Sequence, residues 1–178
     1  MSLTPPVSSI DHLWGNKDAL IELVEYGDFQ CPHCGRAFPI VKRLKEAMKD
    51  SVKFIFRNFP ISKIHPQAKD AAVAAEAGGL QNKFWEMHDL IFEHQKRLNH
   101  ISLIEYATIA RLDVPRFNED MKQENLFKKV EKDFMGGLKS GVNATPTFFI
   151  NGLRYEGSWE ENNLFEYLQN LEISVKEI

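Results

Sequence analysis

Two hydrophobic rhythms alternate along this chain. Residues 19–26 (ALIELVEY) form a short, nearly continuous apolar run, the mark of a buried strand. Gly27-Asp28 breaks it. From Pro32 to about Asp50 apolar residues recur three and four apart, and Phe38, Val41, Leu44 and Met48 share one helical face. Arg36, Lys42, Arg43, Lys45 and Lys49 fall on the other, which predicts a solvated basic face. Residues 52–58 (VKFIFRN) return to period two, with Val52, Phe54 and Phe56 on one side of a strand.

Between His65 and Gly141 the strand rhythm disappears. The Ala-rich segment 66–78, then 82–97, 102–111, about 115–123 and 125–139 all read as helices. The stripe from Phe84 to Phe92 lies at helical spacing and reads as core. Strand signals return at Thr147-Phe148-Phe149-Ile150 and Leu153-Arg154-Tyr155, joined by Asn151-Gly152, the preferred type I′ hairpin turn. Ser158 with Glu161 three residues on predicts a capping box opening a last helix over about 159–171. The Pro/Ser-rich residues 1–9 predict a flexible arm. The order is therefore β-α-β, a helical block, then β-β-α. Residues 10–64 and 141–178 are expected to share one sheet in an α/β domain, with 65–140 inserted as a helical subdomain.

Composition narrows the function. The chain has 178 residues, 43% apolar and 26% charged, an ordinary globular balance that argues against disorder. Twenty-two basic against 25 acidic residues give a net charge of −3, without the basic excess of a nucleic-acid binder. No stretch approaches the roughly 18 apolar residues of a membrane span. The first 30 residues hold no apolar signal core, so the sequence as it stands reads as cytoplasmic. Met1-Ser2-Leu3 reads equally as an added leader; a signal removed before it would place the protein in the periplasm or cell envelope.

The candidate chemistry lies at Cys31-Pro32-His33-Cys34, where the first strand gives way to a helix. Cys31 falls at the helix start, where unpaired N–H groups and the macrodipole favour a thiolate. Pro32 suits the first turn, since it has no N–H to lose there. His33 adds a donor and part-time positive charge beside the sulfur. Cys34 follows one turn on, close enough to form a disulfide after a small adjustment. With an assumed pKa near ~4, the Cys31 thiolate would be stabilised by about 4 kcal/mol at pH 7, raising the reduction potential by on the order of 90 mV. The alternatives are an inert buried pair or half a metal site. His12, His65, His88, His94 and His100 show no metal-binding spacing and read as surface or capping residues. Gly136 to Gly141 lacks the Gly-Lys-Ser/Thr ending of a phosphate loop.

Across residues 10–172 the chain resembles the thioredoxin superfamily, and within it the DsbA-like thiol-disulfide oxidoreductases. The resemblance rests on EYGDFQCPHC (25–34), FRNFP (56–60), the helical segment 65–95 and GVNATPTFFINGLRYEG (141–157). It implies a thioredoxin-like fold with a helical insertion. It implies Cys31 as the attacking sulfur and Cys34 as the resolving one, tuned by His33, with no cofactor and no metal. Pro146 matches the family's cis-proline, and Pro32, Thr145 and Pro146 would then contact an extended substrate; otherwise Pro146 opens an edge strand in trans. Glu25 matches a buried acid that relays a proton for Cys34; otherwise it sits in water at the strand's end. Pro39 matches a helix-kinking proline. The implied partners are protein thiols and disulfides or glutathione, plus an unidentified redox partner, for a monomer. A cytosolic reductase or isomerase, and a redox-sensing or metal-binding module of the same fold, stand as alternatives.

Overall fold

In the computed structural model, which describes residues 1–176, the apolar run of the first rhythm becomes the centre of a five-stranded sheet. This strand, β2, spans Ile21–Gly27. β1 is His12–Trp14, β3 Val52–Asn58, β4 Thr147–Ile150 and β5 Leu153–Arg154, and the order across the sheet is β1-β3-β2-β4-β5. β2 and β3 are parallel, joined through helix α1 (Pro32–Ala47), and every other pair is antiparallel. The helices α2 (Ala68–Gly79), α3 (Phe84–Glu93), α4 (His100–Ile109), α5 (Val114–Asp120) and α6 (Glu124–Lys139) all lie between β3 and β4 in sequence, as an insertion. The expected α/β architecture with a helical insertion is realised.

Period two divides the core. Ile21, Leu23, Phe54, Phe56, Phe148 and Ile150 pack with α1 and α3. Val24, Tyr26, Ile55 and Phe149 pack on the opposite face with Phe59 and Val142. There α6 approaches so closely that a Cβ at Gly137 would meet the Phe59 ring at 2.6 Å, so only glycine fits. Asn151 and Gly152 both have positive φ (48° and 77°), as the type I′ turn demands.

Three expectations need correction, and one strand carries no sequence signal. The first nine residues do not extend as a free arm. Leu3 is buried, its N–H donates to the Gly152 carbonyl (2.8 Å), and Ser2 bridges Leu153. The carbonyls of Pro5 and Pro6 accept from the buried Arg57 guanidinium at 2.8 and 3.0 Å. A Pro-rich segment looks unstructured in isolation, but its carbonyls are the acceptors that this buried cation needs. β1 carries too short a pattern to read from sequence; pairing with the edge of β3 makes it a strand. The Ser158–Glu161 capping box is absent. Ser158 Oγ accepts from the Glu160 N–H, Glu161 has φ +55°, and α7 starts only at Asn163, spanning Asn163–Lys176. Its fully buried Leu164 and Leu168 seat it. Lys45 does not join the solvated face. It is 6% exposed, with its ammonium over the rings of Trp14, Phe54 and Trp85 at 4.9, 5.4 and 4.4 Å. Its long stem belongs to the apolar face, and the rings attract the charge.

Candidate active site: the Cys31–Cys34 pair

Cys31 is the N-cap of α1, in extended conformation (φ −71°, ψ 121°), with Pro32 in the first turn. Its N–H donates to the Asp28 carbonyl (3.1 Å), and its own carbonyl accepts from the Gly35 N–H (3.0 Å). The Cys31 thiol meets the Thr145 carbonyl across the site at 3.4 Å. The Thr145–Pro146 peptide bond is cis. The Thr145 hydroxyl is buried and has no hydrogen-bond partner, so it can turn toward a thiolate. Both cysteines are free thiols.

Their acidities diverge. A hydrogen bond from Cys34 brings the Cys31 pKa down to about 5 against the opposing effect of burial. The Thr145 side chain and the backbone N–H groups of Cys34 and His33 add to the lowering. Burial holds Cys34 well above the ordinary thiol range, and the neighbouring Cys31 and Glu25 push the same way. Cys34 is fully buried, while 5% of Cys31 remains exposed.

Glu25 lies inside the protein, not in water. It pairs with Phe56 and Phe148 in the centre of the sheet, in step with Leu23 on the α1 face. Burial pushes its carboxyl up to about 8, with the Lys45 charge opposing and Cys31 reinforcing. The His33 ring takes another place than expected. It is exposed, and its Nδ1 accepts from Arg36 at 2.8 Å. Its backbone N–H, not its ring, acts on the Cys31 sulfur. Pro32 is exposed and Pro146 half-buried. Pro39 sits inside α1.

A family model described as thioredoxin matches residues 8–170. The chain belongs to the thioredoxin family. Similar solved structures include a thioredoxin-like oxidoreductase from Silicibacter pomeroyi, with TM-score 0.82 and 23% identity over 94% of both chains. Oxidised BdbD from Bacillus subtilis aligns with TM-score 0.80 and 24% identity over 91% of this chain and 92% of that one. The thiol-disulfide exchange protein α-DsbA2 from Wolbachia pipientis reaches 0.81 at 20% identity, over 92% and 88%. The thioredoxin-like fold is thus shared with DsbA-type proteins. A curated relative, the Na(+)/H(+) antiporter NhaA 1 of Mycolicibacterium vanbaalenii, is 38% identical over 94% of this chain. Another of the same description, from Salinispora arenicola, is 42% identical over 84%. The chain spans only 27% and 23% of those two proteins' lengths. Among the described residues no helix is long and apolar enough to cross a membrane.

Several residues of this thioredoxin-family site were not singled out in the sequence. Gln95, at the end of α3, donates from Nε2 to the Cys31 carbonyl at 2.7 Å, so the insertion reaches the first turn of α1. Gly35 leaves it room: a Cβ there would collide with the Gln95 amide. Asp28 and His65 form a 2.8 Å pair beside Cys34, which corrects the reading of His65 as a surface residue. His88 is also buried, among Phe29, Phe56, Trp85 and Phe92, with Nδ1 on Asp89. His12 stacks on Phe84 and bonds Glu76. His94 and His100 are exposed, and His94 closes α3. The Gln95–Cys31, Asp28–His65 and His12–Glu76 contacts leave no local sequence signal, because each partner lies on a distant segment.

Proposed function

We propose that this protein is a thiol-disulfide oxidoreductase that exchanges disulfides with protein or small thiols through Cys31 and Cys34. The observation that carries this reading is the opposite poise of two adjacent thiols. Cys31 is a thiolate at neutral pH and slightly exposed, whereas Cys34 is a protonated thiol out of reach. Cys31 attacks a substrate disulfide and forms a mixed disulfide; Cys34 then displaces the substrate. Run in reverse, the same steps oxidise a substrate dithiol. Thr145 and Pro146 are the residues we assign to a substrate backbone, and Glu25, whose charge acts on the Cys34 thiol, is the group we assign to exchange the Cys34 proton. A largely apolar groove of about 530 Å³ lies between residues 59–63, α6 and Val142–Asn143, and none of the site residues line it.

The pKa sets the size of the bias. The folded value, about 5, lies below the ordinary thiol value of 9.0. The thiolate therefore stabilises the reduced protein fully above pH ~9, and this stabilisation is lost as pH falls through about 5. At pH 7 it amounts to about 2 × 1.36, roughly 2.7 kcal/mol, or on the order of 60 mV. That is smaller than the ~90 mV that an assumed pKa of ~4 gives. Equilibration in glutathione buffers should return a potential less reducing than the roughly −270 mV of a thioredoxin reductant. Thiolate absorbance should titrate near pH 5. A potential at or below roughly −270 mV with a thiolate titrating near 8.5 would remove the oxidising bias and leave a reductase.

The antiporter relatives favour one further setting for the same chemistry: a thiol-handling segment carried by a longer membrane protein. Fractionation of the source cells, followed by detection of this segment, tests it. A species of this chain's own size in the soluble fraction alone argues against that setting.

A further inference from the structure

Asp28 lies in the short turn between β2 and α1, and its backbone touches both cysteines. Its N–H points at Cys34 Sγ (3.4 Å), and its carbonyl accepts from the Cys31 N–H (3.1 Å). Its fully buried carboxylate is bound on both oxygens. Oδ1 accepts from the Gln30 N–H at 2.8 Å; Oδ2 accepts from the Ile61 N–H at 2.8 Å and pairs with His65 Nδ1 at 2.8 Å. The first bond locks the turn locally, and the other two tie it to the segment after β3. A carboxylate so committed cannot swing, so the direction of the Asp28 N–H is set by it.

We propose that Asp28 and His65 are positioning residues for the resolving step, together holding a main-chain N–H on the Cys34 sulfur while it attacks the mixed disulfide. The proposal rests on the exchange reading above. In that step the Cys34 thiol gives up its proton. Its sulfur bonds to Cys31 Sγ as the bond between Cys31 and the substrate sulfur breaks. The substrate leaves as a thiolate with the bonding pair and takes up a proton. No outside electron is needed. While charge sits on Cys34, the Asp28 N–H is the donor already aimed at it. A bare carboxylate nearby would oppose that charge, and the His65 hydrogen bond draws the carboxylate's charge the other way.

The test is rapid-quench reaction of the full chain with glutathione disulfide, following the glutathione adduct and the internal disulfide by mass spectrometry. Asp28→Ala should slow conversion of adduct to internal disulfide by about tenfold or more, the scale of one hydrogen bond to a charged group. Formation of the adduct by Cys31 should stay within about twofold. Asp28→Asn keeps an oxygen acceptor for the turn and should recover most of the loss. His65→Ala should slow the same step by about threefold or more. Resolution at the wild-type rate in Asp28→Ala and His65→Ala overturns the proposal, and so does equal slowing of both steps. If Asp28→Ala does not fold, His65→Ala decides by the same criterion. A wild-type protein that forms no adduct at all would sink the exchange reading itself.

Discussion

Cys34→Ser should turn this protein into a trap that takes up substrate and does not let it go. Cys31 lies at the mouth of the site with its pKa near 5, so its attack on a disulfide survives the substitution. The step lost is release. In the wild type the second thiol sits one helical turn away and acts at an effective concentration far above that of any thiol in solution. Without it the mixed disulfide waits for an external thiol, and turnover should fall by a factor on the order of a thousand. Cys31→Ser should lose exchange entirely and form no adduct. Comparing Cys34→Ser with Cys34→Ala separates two roles of Cys34. Its hydrogen bond is the first cause of the low Cys31 pKa. A serine hydroxyl keeps a donor there and alanine does not, so Cys34→Ala should raise the Cys31 titration well above that of Cys34→Ser. Non-reducing mass spectrometry and thiolate absorbance check both points. A Cys34→Ser protein that turns over normally would mean that Cys34 is not the resolving thiol.

Glu25→Gln should stabilise the protein, and only above mildly acidic pH. The folded carboxyl has a pKa of about 8, above the ordinary carboxyl value of 4.5. The folded state therefore holds a proton that the unfolded chain has released. This contribution to stability is fully present below pH ~4.5 and is lost as pH rises through about 8. Between pH 5 and 8 the wild type should lose on the order of 3 kcal/mol relative to the variant. Denaturant unfolding of the two reduced proteins at several pH values reads it directly. The gain should come with a functional loss. Glutamine cannot exchange a proton with Cys34, so resolution should slow and its pH profile should flatten near 8. A destabilised Glu25→Gln at pH 8, or equal pH slopes in both proteins, would contradict the burial argument. Lys45 is coupled to this site, since its buried ammonium opposes the rise in the Glu25 pKa. Lys45→Met should therefore push that pKa higher still.

How much was legible in advance differed by the range of the forces involved. The strand over 19–26, the α1 helix, the period-two strand over 52–58 and the Asn-Gly turn all follow from neighbours a few residues apart, and all were readable. The insertion was readable because a long stretch without strand rhythm has to leave the sheet. Cys31, Pro32 and Cys34 were readable because their chemistry depends on a helix terminus that the local pattern predicts. Glu25 was half readable: alternation assigns it a face, but only Phe56 and Phe148 alongside, and α1 packed over it, make that face dry.

The failures share one cause. The first nine residues, Lys45 and His65 read as solvated by composition or by helical face, and each answers to a partner elsewhere in the chain; His88 is buried by Phe29 and Phe56 from two other segments. Lys45 meets Trp14 and Trp85 from two other segments. Asp28 meets His65 37 residues on, and Gln95 reaches Cys31 across 64. The sequence by itself determined the elements, their order and the reactive pair, because hydrophobic period, turn chemistry and helix-end electrostatics act over a few residues. The tertiary structure alone decided which acids are dry, which cations are caged and which backbone donors face the sulfurs. Desolvation and hydrogen bonding depend on what the fold brings alongside, and no local pattern records that.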